Sequence, residues 1–313
     1  MVIKFGVDLI QKIIKFMLYG NNEITGTDAE FHNGTGLNGI NGASIEIISQ
    51  NANNIITGGM SGVALYGAEA TITASNGKNI IKGSYSSSTS TGGNALYANN
   101  NANIHLNAQR NEAIARAGIF SENSSNVDLI ATKNGNLLNA EVYGIVAQQN
   151  STAKLTAYSG NNEITSGNYG IYAQSSSEVN LTTNAGNNKI TASGRGIYSN
   201  NTDTKVILNA LNNEIISNNN GIYAIRDGLV DVTSNYMNKI SGAKTGIRSY
   251  NGNVEMKSTF GSNIIEAQSY GIYANHYYND YDTNIVTLSG VNNSLTVTSG
   301  YGIYATVELL MLI

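Results

Sequence analysis

The sequence predicts an all-β fold: a single-stranded parallel β-helix (β-solenoid) of about eleven coils, each ~25 residues long with three short strands. Three observations predict it. A Gly-Ile-Tyr-like triplet recurs, its first residues being Gly39, Ala64, Ala95, Gly118, Gly144, Gly170, Gly196, Gly221, Gly246, Gly271 and Gly302. Successive spacings are 25, 31, 23, 26, 26, 26, 25, 25, 25 and 31 residues, in the range that marks solenoids. The apolar pieces within each unit are short and alternate with period two, as strands with one buried face do. Between them lie turn-forming residues: Asn has 48 copies and Gly 34, whereas Pro, Cys and Trp are absent. A unit this short cannot bury a face alone. Stacking coil on coil buries a continuous core and pairs equivalent strands in parallel about 4.8 Å apart.

Taken from the N-terminus, residues 1–20 read as an amphipathic cap. Ile3, Val7, Ile10, Ile14 and Met17 form one helical stripe, and Lys4, Asp8, Gln11, Lys12 and Lys15 another. A helix over 2–18, folded across the first coil, is the expectation, because an open solenoid end exposes core and strand edges. Lys12 and Lys15 interrupt the apolar runs and no small-residue cleavage site follows, so the segment does not read as a signal peptide.

Residues 21–305 are the repeat domain. Each unit opens with an Asn-led piece, such as Asn162-Glu163-Ile164 or Asn188-Lys189-Ile190, continues with Gly-Ile-Tyr, and closes with an alternating triplet such as Val179-Asn180-Leu181. Stacking makes Ile164, Ile190, Ile215, Ile240 and Ile265 one inner ladder, and Ile171, Ile197, Ile222, Ile247, Ile272 and Ile303 a second. Each buried Ile contributes roughly 1.5–3 kcal/mol. Asn162, Asn188, Asn213, Asn238, Asn263 and Asn293 are expected at a turn, where Asn tolerates left-handed backbone and its amide can bond the amide one coil above. The Gly of each triplet is expected at a tight corner or positive φ. Glu163, Lys189, Glu214 and Lys239 alternate in sign, which supports register. Residues 306–313 are an apolar tail. It either folds back over the last coil or marks the chain as a piece of something longer, and the fragment is the favoured expectation.

Composition narrows the function. Net charge is −4 and only 12% of residues are charged, which gives no electrostatic footprint for nucleic acid. No apolar run reaches 18 residues, so no transmembrane helix is predicted. The absence of Cys excludes disulfides, thiolate-held zinc and a thiol nucleophile. No Ser/His/Asp set, phosphate loop or zinc-protease motif is present, and no cofactor is called for.

Two features carry chemistry. The third residue of the triplet reads Tyr66, Tyr97, Phe120, Val146, Tyr172, Tyr198, Tyr223, Arg248, Tyr273 and Tyr304. If Ile171 points inward, Tyr172 points outward. A row of aromatics about 5 Å apart suits sugar stacking or protein contact, and equally suits ring packing between coils. Arg248 fits either through cation–π contact. The second feature is the insertion 275–284, with Tyr277, Tyr278 and Tyr281 as further contact candidates. His276, Asp280 and Asp282 in it would be the residues for a metal or for acid–base work, against the simpler reading of a polar loop. Three other insertions, at 27–38, 58–62 and 84–93, fall at one corner and are expected to form one lateral cluster; the last, "SYSSSTSTGG", is polar and offers no chemistry.

The tandem "NNEIT…GIYA…VxL" coils over residues 21–305 resemble the passenger domains of bacterial autotransporters, the type V secreted β-helix proteins of the adhesin and pertactin kind. The resemblance implies export to the extracellular, bacterial cell-surface side, adhesion to glycans or host proteins, and anchoring by a C-terminal outer-membrane β-barrel in a longer parent. The expected function is a non-enzymatic surface stalk or adhesin. The alternative is a polysaccharide-active β-helix enzyme, lyase or hydrolase, similar to tailspikes. Its best residues are Asp231 and Glu255, outward acids on successive coils. An antifreeze-type surface would need flat Thr arrays, which the mixed outward positions lack.

Overall fold

The computed structural model describes residues 2–3, 8–10, 13–18, 20–26, 34–84, 93–275, 284–306 and 311–312. They form an all-β parallel β-solenoid, with no helix among the described residues. Each strand pairs in parallel with its equivalent one turn away. Asn162–Ser166 pairs with Asn187–Ala192, Tyr169–Gln174 with Arg195–Asn200, and Glu178–Thr183 with Lys205–Ser217. These three rows are here named the Asn, Gly and Val strands.

The solenoid has about nine turns rather than eleven. The last copy of the triplet, in Tyr301–Ala305, is exposed at all five residues and closes no buried turn. The first copy is out of step, because Gly39 pairs with Leu65 and not with Ala64. The expected capping helix is not seen among the described residues either. Val2–Ile3, Asp8–Ile10 and Ile13–Leu18 are strands, paired in parallel with Asn22–Gly26, Leu37–Ile40 and Ser44–Ser49. Register sets Ile14-Lys15-Phe16 against Ile45-Glu46-Ile47, so the alternation continues that of the next turn. A helix would leave the first coil's strand edge unpaired, whereas these strands pair with it directly. At the other end Met311–Leu312 pairs in parallel with Thr287 and Leu288.

The core is built from ladders. Ile164, Ile190, Ile215, Ile240 and Ile265 are in register and fully buried, as are Ile171, Ile197, Ile222, Ile247 and Ile272. Ile303 keeps the register but is 37% exposed at the C-terminal end.

An unbroken amide column runs beside them. Asn22, Asn54, Asn79, Asn111 and Asn136 precede the six expected residues, and every Nδ2 from Asn22 to Asn263 donates to the Oδ1 of the Asn one turn further on, at 2.5–3.0 Å. The same nitrogens donate to carbonyls, as Asn162 does to Leu155 and Thr182. From Asn22 to Asn263 these side chains are at most 3% exposed. They lie in strands, some at the start and others, such as Asn79, Asn111, Asn213 and Asn238, inside long ones, and not in left-handed turns. The left-handed residues lie instead between Gly and Val strands, as consecutive pairs such as Gln149 and Asn150 (φ 58° and 61°) or Ser175 and Ser176 (58° and 60°). There the hydroxyls of Ser151 and Ser177 accept from the backbone N–H of Ser125 and Ser151.

The repeated Gly owes its place to close approach, not to positive φ. A Cβ on Gly170 would meet Ile190 Cγ2 at 2.3 Å, and one on Gly196 would meet Ile215 Cγ2 at 2.4 Å. Charge pairing follows the expected alternation only in part. Lys189 meets Glu214 at 3.2 Å, but Lys239 reaches past its register partner to Glu266 at 3.0 Å. These pairs are exposed, so each contributes only about 0.2–1 kcal/mol.

Three outcomes are expected in urea unfolding followed by circular dichroism. Gly196→Ala should cost about 1–3 kcal/mol through overpacking against Ile215. Gly20→Ala, where a Cβ meets nothing within 4 Å, should change stability by less than about 0.5 kcal/mol. Asn188→Ala orphans amide groups on the turns to either side and should cost about 1–3 kcal/mol. Unchanged midpoints for Gly196→Ala and Asn188→Ala would remove both interactions from the account of the core.

Candidate functional site

The lateral face of the Gly strands carries the candidate site. Register places Tyr97, Phe120, Val146, Tyr172, Tyr198, Tyr223, Arg248, Tyr273 and Tyr304 in one row. Tyr66 is not in that row by backbone pairing, since Tyr97 pairs with Ala64, yet its ring reaches Tyr97 at 5.4 Å. Tyr277, Tyr278 and Tyr281 lie outside the described residues, with His276, Asp280 and Asp282.

A second row, which period-two reasoning misses, runs beside the first. Within Tyr169–Gln174 both Gly170 and Ile171 are buried, while Tyr169 and Tyr172 are both half-buried. The strand therefore breaks alternation at the glycine and turns residues three apart to the same outer face. Tyr143, Tyr169, Arg195, Tyr270 and Tyr301 thus stand beside the first row. The signal was present as "YGIY", which occurs at Tyr169, Tyr270 and Tyr301. Tyr250 joins them from the end of its strand.

The rings form two networks, Tyr66–Tyr97–Phe120 and a longer one that runs from Tyr143 to Tyr304. Tyr143 stacks on Tyr169 at 5.7 Å, and Tyr172 on Tyr198 at 5.0 Å, with interplanar angles of 18° and 21°. Beyond Tyr198 the planes cross: Tyr198–Tyr223, Tyr223–Tyr250 and Tyr250–Tyr273 are edge-to-face at 5.4–5.9 Å. In a crossed pair one ring presents its edge, so its own face is not covered by that neighbour. Val146 interrupts the first row, and there Tyr143 reaches across to Tyr172 at 6.3 Å. Each such ring pair contributes about 0.5–1.5 kcal/mol beyond burial. Packing between coils, the simpler expectation for these tyrosines, therefore holds. The rings nonetheless remain only half-buried, and the strip is a surface.

Polar groups differentiate its two ends. Near the N-terminal end Glu122 accepts from the Tyr97 hydroxyl (2.5 Å), from Asn99 (3.1 Å) and from Gln148 (2.8 Å). The chain continues from Gln174 to Gln148 and from the Tyr172 hydroxyl to Gln174. Burial and the Glu122 carboxylate hold Tyr97 well above the ordinary tyrosine range. Toward the C-terminal half the charges are guanidinium groups. Arg195 lies over Tyr169, Tyr198 and Tyr223 at 5.1–5.5 Å, and Arg248 over Tyr223, Tyr250 and Tyr273 at 4.7–5.6 Å. Arg195 donates to the Tyr169 hydroxyl and Arg248 to the Tyr250 hydroxyl.

The outward acids named for the enzyme alternative are adjacent in register, Asp231 beside Glu255. Asp231 accepts from Thr233 at 2.8 Å, and Glu255 meets Lys257 at 2.7 Å, raising the lysine pKa. His105 sits against Asp128 at 3.9 Å, which raises the imidazole pKa. No group of three His, Cys, Asp or Glu suited to a metal occurs among the described residues. No family model matches the chain, and comparison with curated proteins and with solved structures returned no match.

Tyr172, Tyr198 and Tyr223 all have pKa values raised, chiefly by burial of the phenol. A raised tyrosine pKa means that the folded state holds the proton more tightly than the unfolded chain. Its contribution is complete below about pH 10 and is lost as pH rises through the folded-state value. Tyrosinate absorbance of the native chain should therefore lag that of the urea-unfolded chain, and stability should fall above about pH 10. Superimposable titrations would contradict the burial of these phenols.

Proposed function

We propose that the chain is a non-enzymatic β-solenoid stalk that binds glycans through its aromatic lateral strip. The observation that carries this reading is the largely half-buried aromatic strip, in which Tyr172, Tyr198 and Tyr223 follow on successive turns with Tyr143 and Tyr169 beside them, flanked by hydrogen-bonding amides. Apolar sugar faces stack on aromatic rings, while hydroxyls exchange hydrogen bonds with amides and phenols. A rod presenting the same contact at each turn binds polymers by repetition, so weak single contacts sum through effective concentration. Display on a bacterial cell surface, and contact with host or cell-surface proteins in place of glycans, belong to the same reading by its resemblance to autotransporter passengers. So does anchoring by a β-barrel outside this chain.

A second reading, a polysaccharide-active enzyme, is favoured by one observation, the adjacency of Asp231 and Glu255. It is weakened by their local commitments to Thr233 and Lys257.

A broad glycan panel, scored for both retention and release of reducing ends, separates the two. Retention without turnover is expected. The Tyr172→Ala, Tyr198→Ala, Tyr223→Ala triple variant should weaken retention at least about tenfold while keeping the β circular-dichroism spectrum, since stacking contributes of order 1 kcal/mol per ring. Undiminished retention would remove the strip from the binding model. Turnover abolished by Asp231→Asn or Glu255→Gln would replace the stalk reading with the enzyme.

A further inference from the structure

Glycan binding leaves open which glycans, and the two arginines bear on that. Arg195 stands in the row before the glycine, and Arg248 in the row after it, two turns further on. Both flank one ring: their guanidinium carbons lie 5.1 and 5.2 Å from the Tyr223 centroid. Two turns of parallel strand stacking set them about 10 Å apart along the rod.

Neither guanidinium has a carboxylate within ion-pair distance among the described residues. A guanidinium carries five N–H donors. Arg195 spends one on the Tyr169 hydroxyl and Arg248 one on that of Tyr250. The Nε of each is buried without an acceptor. The acids nearest in sequence, Asp203 to Arg195 and Glu255 to Arg248, form no ion pair with either guanidinium among the described residues, and Glu255 meets Lys257 at 2.7 Å. The strip's own carboxylate, Glu122, is committed to Tyr97, Asn99 and Gln148 at the other end.

Two stacked cations on an aromatic floor, both short of acceptors, select an anion attached to something with an apolar face. An acidic polysaccharide supplies both. Its carboxylate or sulfate accepts the planar N–H fork, and its ring lies on the phenols. A charge on every second sugar recurs at an interval similar to the Arg195–Arg248 spacing, because two extended pyranose rings span about that length. We propose that the Arg195–Tyr223–Arg248 segment is a subsite for an acidic glycan running along the solenoid axis. This inference rests on the glycan-binding reading above and names its substrate class.

The test uses the full chain and three immobilised probes: a uronate homopolymer, the same polymer with its carboxyls reduced to alcohols, and oligothymidylate. Expected is at least about tenfold tighter retention of the uronate polymer than of its neutral counterpart, with the difference shrinking as salt is raised. Arg195→Gln with Arg248→Gln should erase that difference, so that the two polymers are retained alike. Arg195→Lys with Arg248→Lys keeps the charges and should retain most of it, which also controls for any folding defect in the Gln variant. Equal retention of the two polymers, lowered alike by the tyrosine variants, would overturn the acidic subsite and leave the glycan reading standing. Retention of neither polymer would overturn both. Oligothymidylate held as tightly as the uronate polymer would make the segment a general polyanion surface and overturn the assignment.

Discussion

The structure depends on the buried asparagine column. Backbone pairing alone lets parallel strands slide by two residues without changing which face is buried. The amides remove that freedom, because each Nδ2 finds its acceptor only when the Asn of the next turn is directly opposite. A slipped turn would bury orphaned donors and acceptors at a cost of about 1–3 kcal/mol each. All links run in one direction, so each bond polarises the next and the column gains cooperatively. The isoleucine ladders, nonspecific in themselves, inherit their alignment from it.

Alignment of the core is also what makes the outer face. Among the described residues strand register builds the aromatic strip: the register that stacks Ile171 on Ile197 stacks Tyr172 on Tyr198. The site is therefore as rigid as the core beneath it, and its ring spacings follow from strand spacing. Local variation is confined to what each turn places there. Glu122 and the glutamines make one end acidic and amide-rich, and Arg195 and Arg248 make the other cationic.

The sequence made the ladders legible because their spacing is nearly constant over most of the chain, and Tyr172, Tyr198, Tyr223, Arg248 and Tyr273 fell into the expected row. What it hid has physical causes. Ile3, Val7, Ile10 and Ile14 fit a helical stripe, but periodicity is blind to the backbone partners that Asn22–Gly26 and Ser44–Ser49 supply. The row of Tyr169 and Arg195 escaped because Gly170 and Ile171 both turn inward, and alternation counted back from Tyr172 puts Tyr169 on the wrong side. The asparagines were expected to bond along the stack, as they do, but their backbone was misassigned, since an Asn can serve a strand as well as a left-handed turn. Tyr66 aligned by spacing alone, and a two-residue register difference separates it from Tyr97.

The glycine contacts carry a consequence for how such a chain changes length. Gly144, Gly170, Gly196, Gly221 and Gly246 each make room for the isoleucine of the following turn, never for one of their own. Each of these turns thus presents the same socket to its successor and the same plug to its predecessor. A turn copied or deleted whole within this stretch leaves a matched joint behind. Unequal crossing-over between repeats would therefore yield longer or shorter rods that fold without compensating changes, whereas an insertion of half a turn would set an isoleucine against a residue with a Cβ. Rod length is free to vary in whole turns, and the number of contacts offered along its side varies with it.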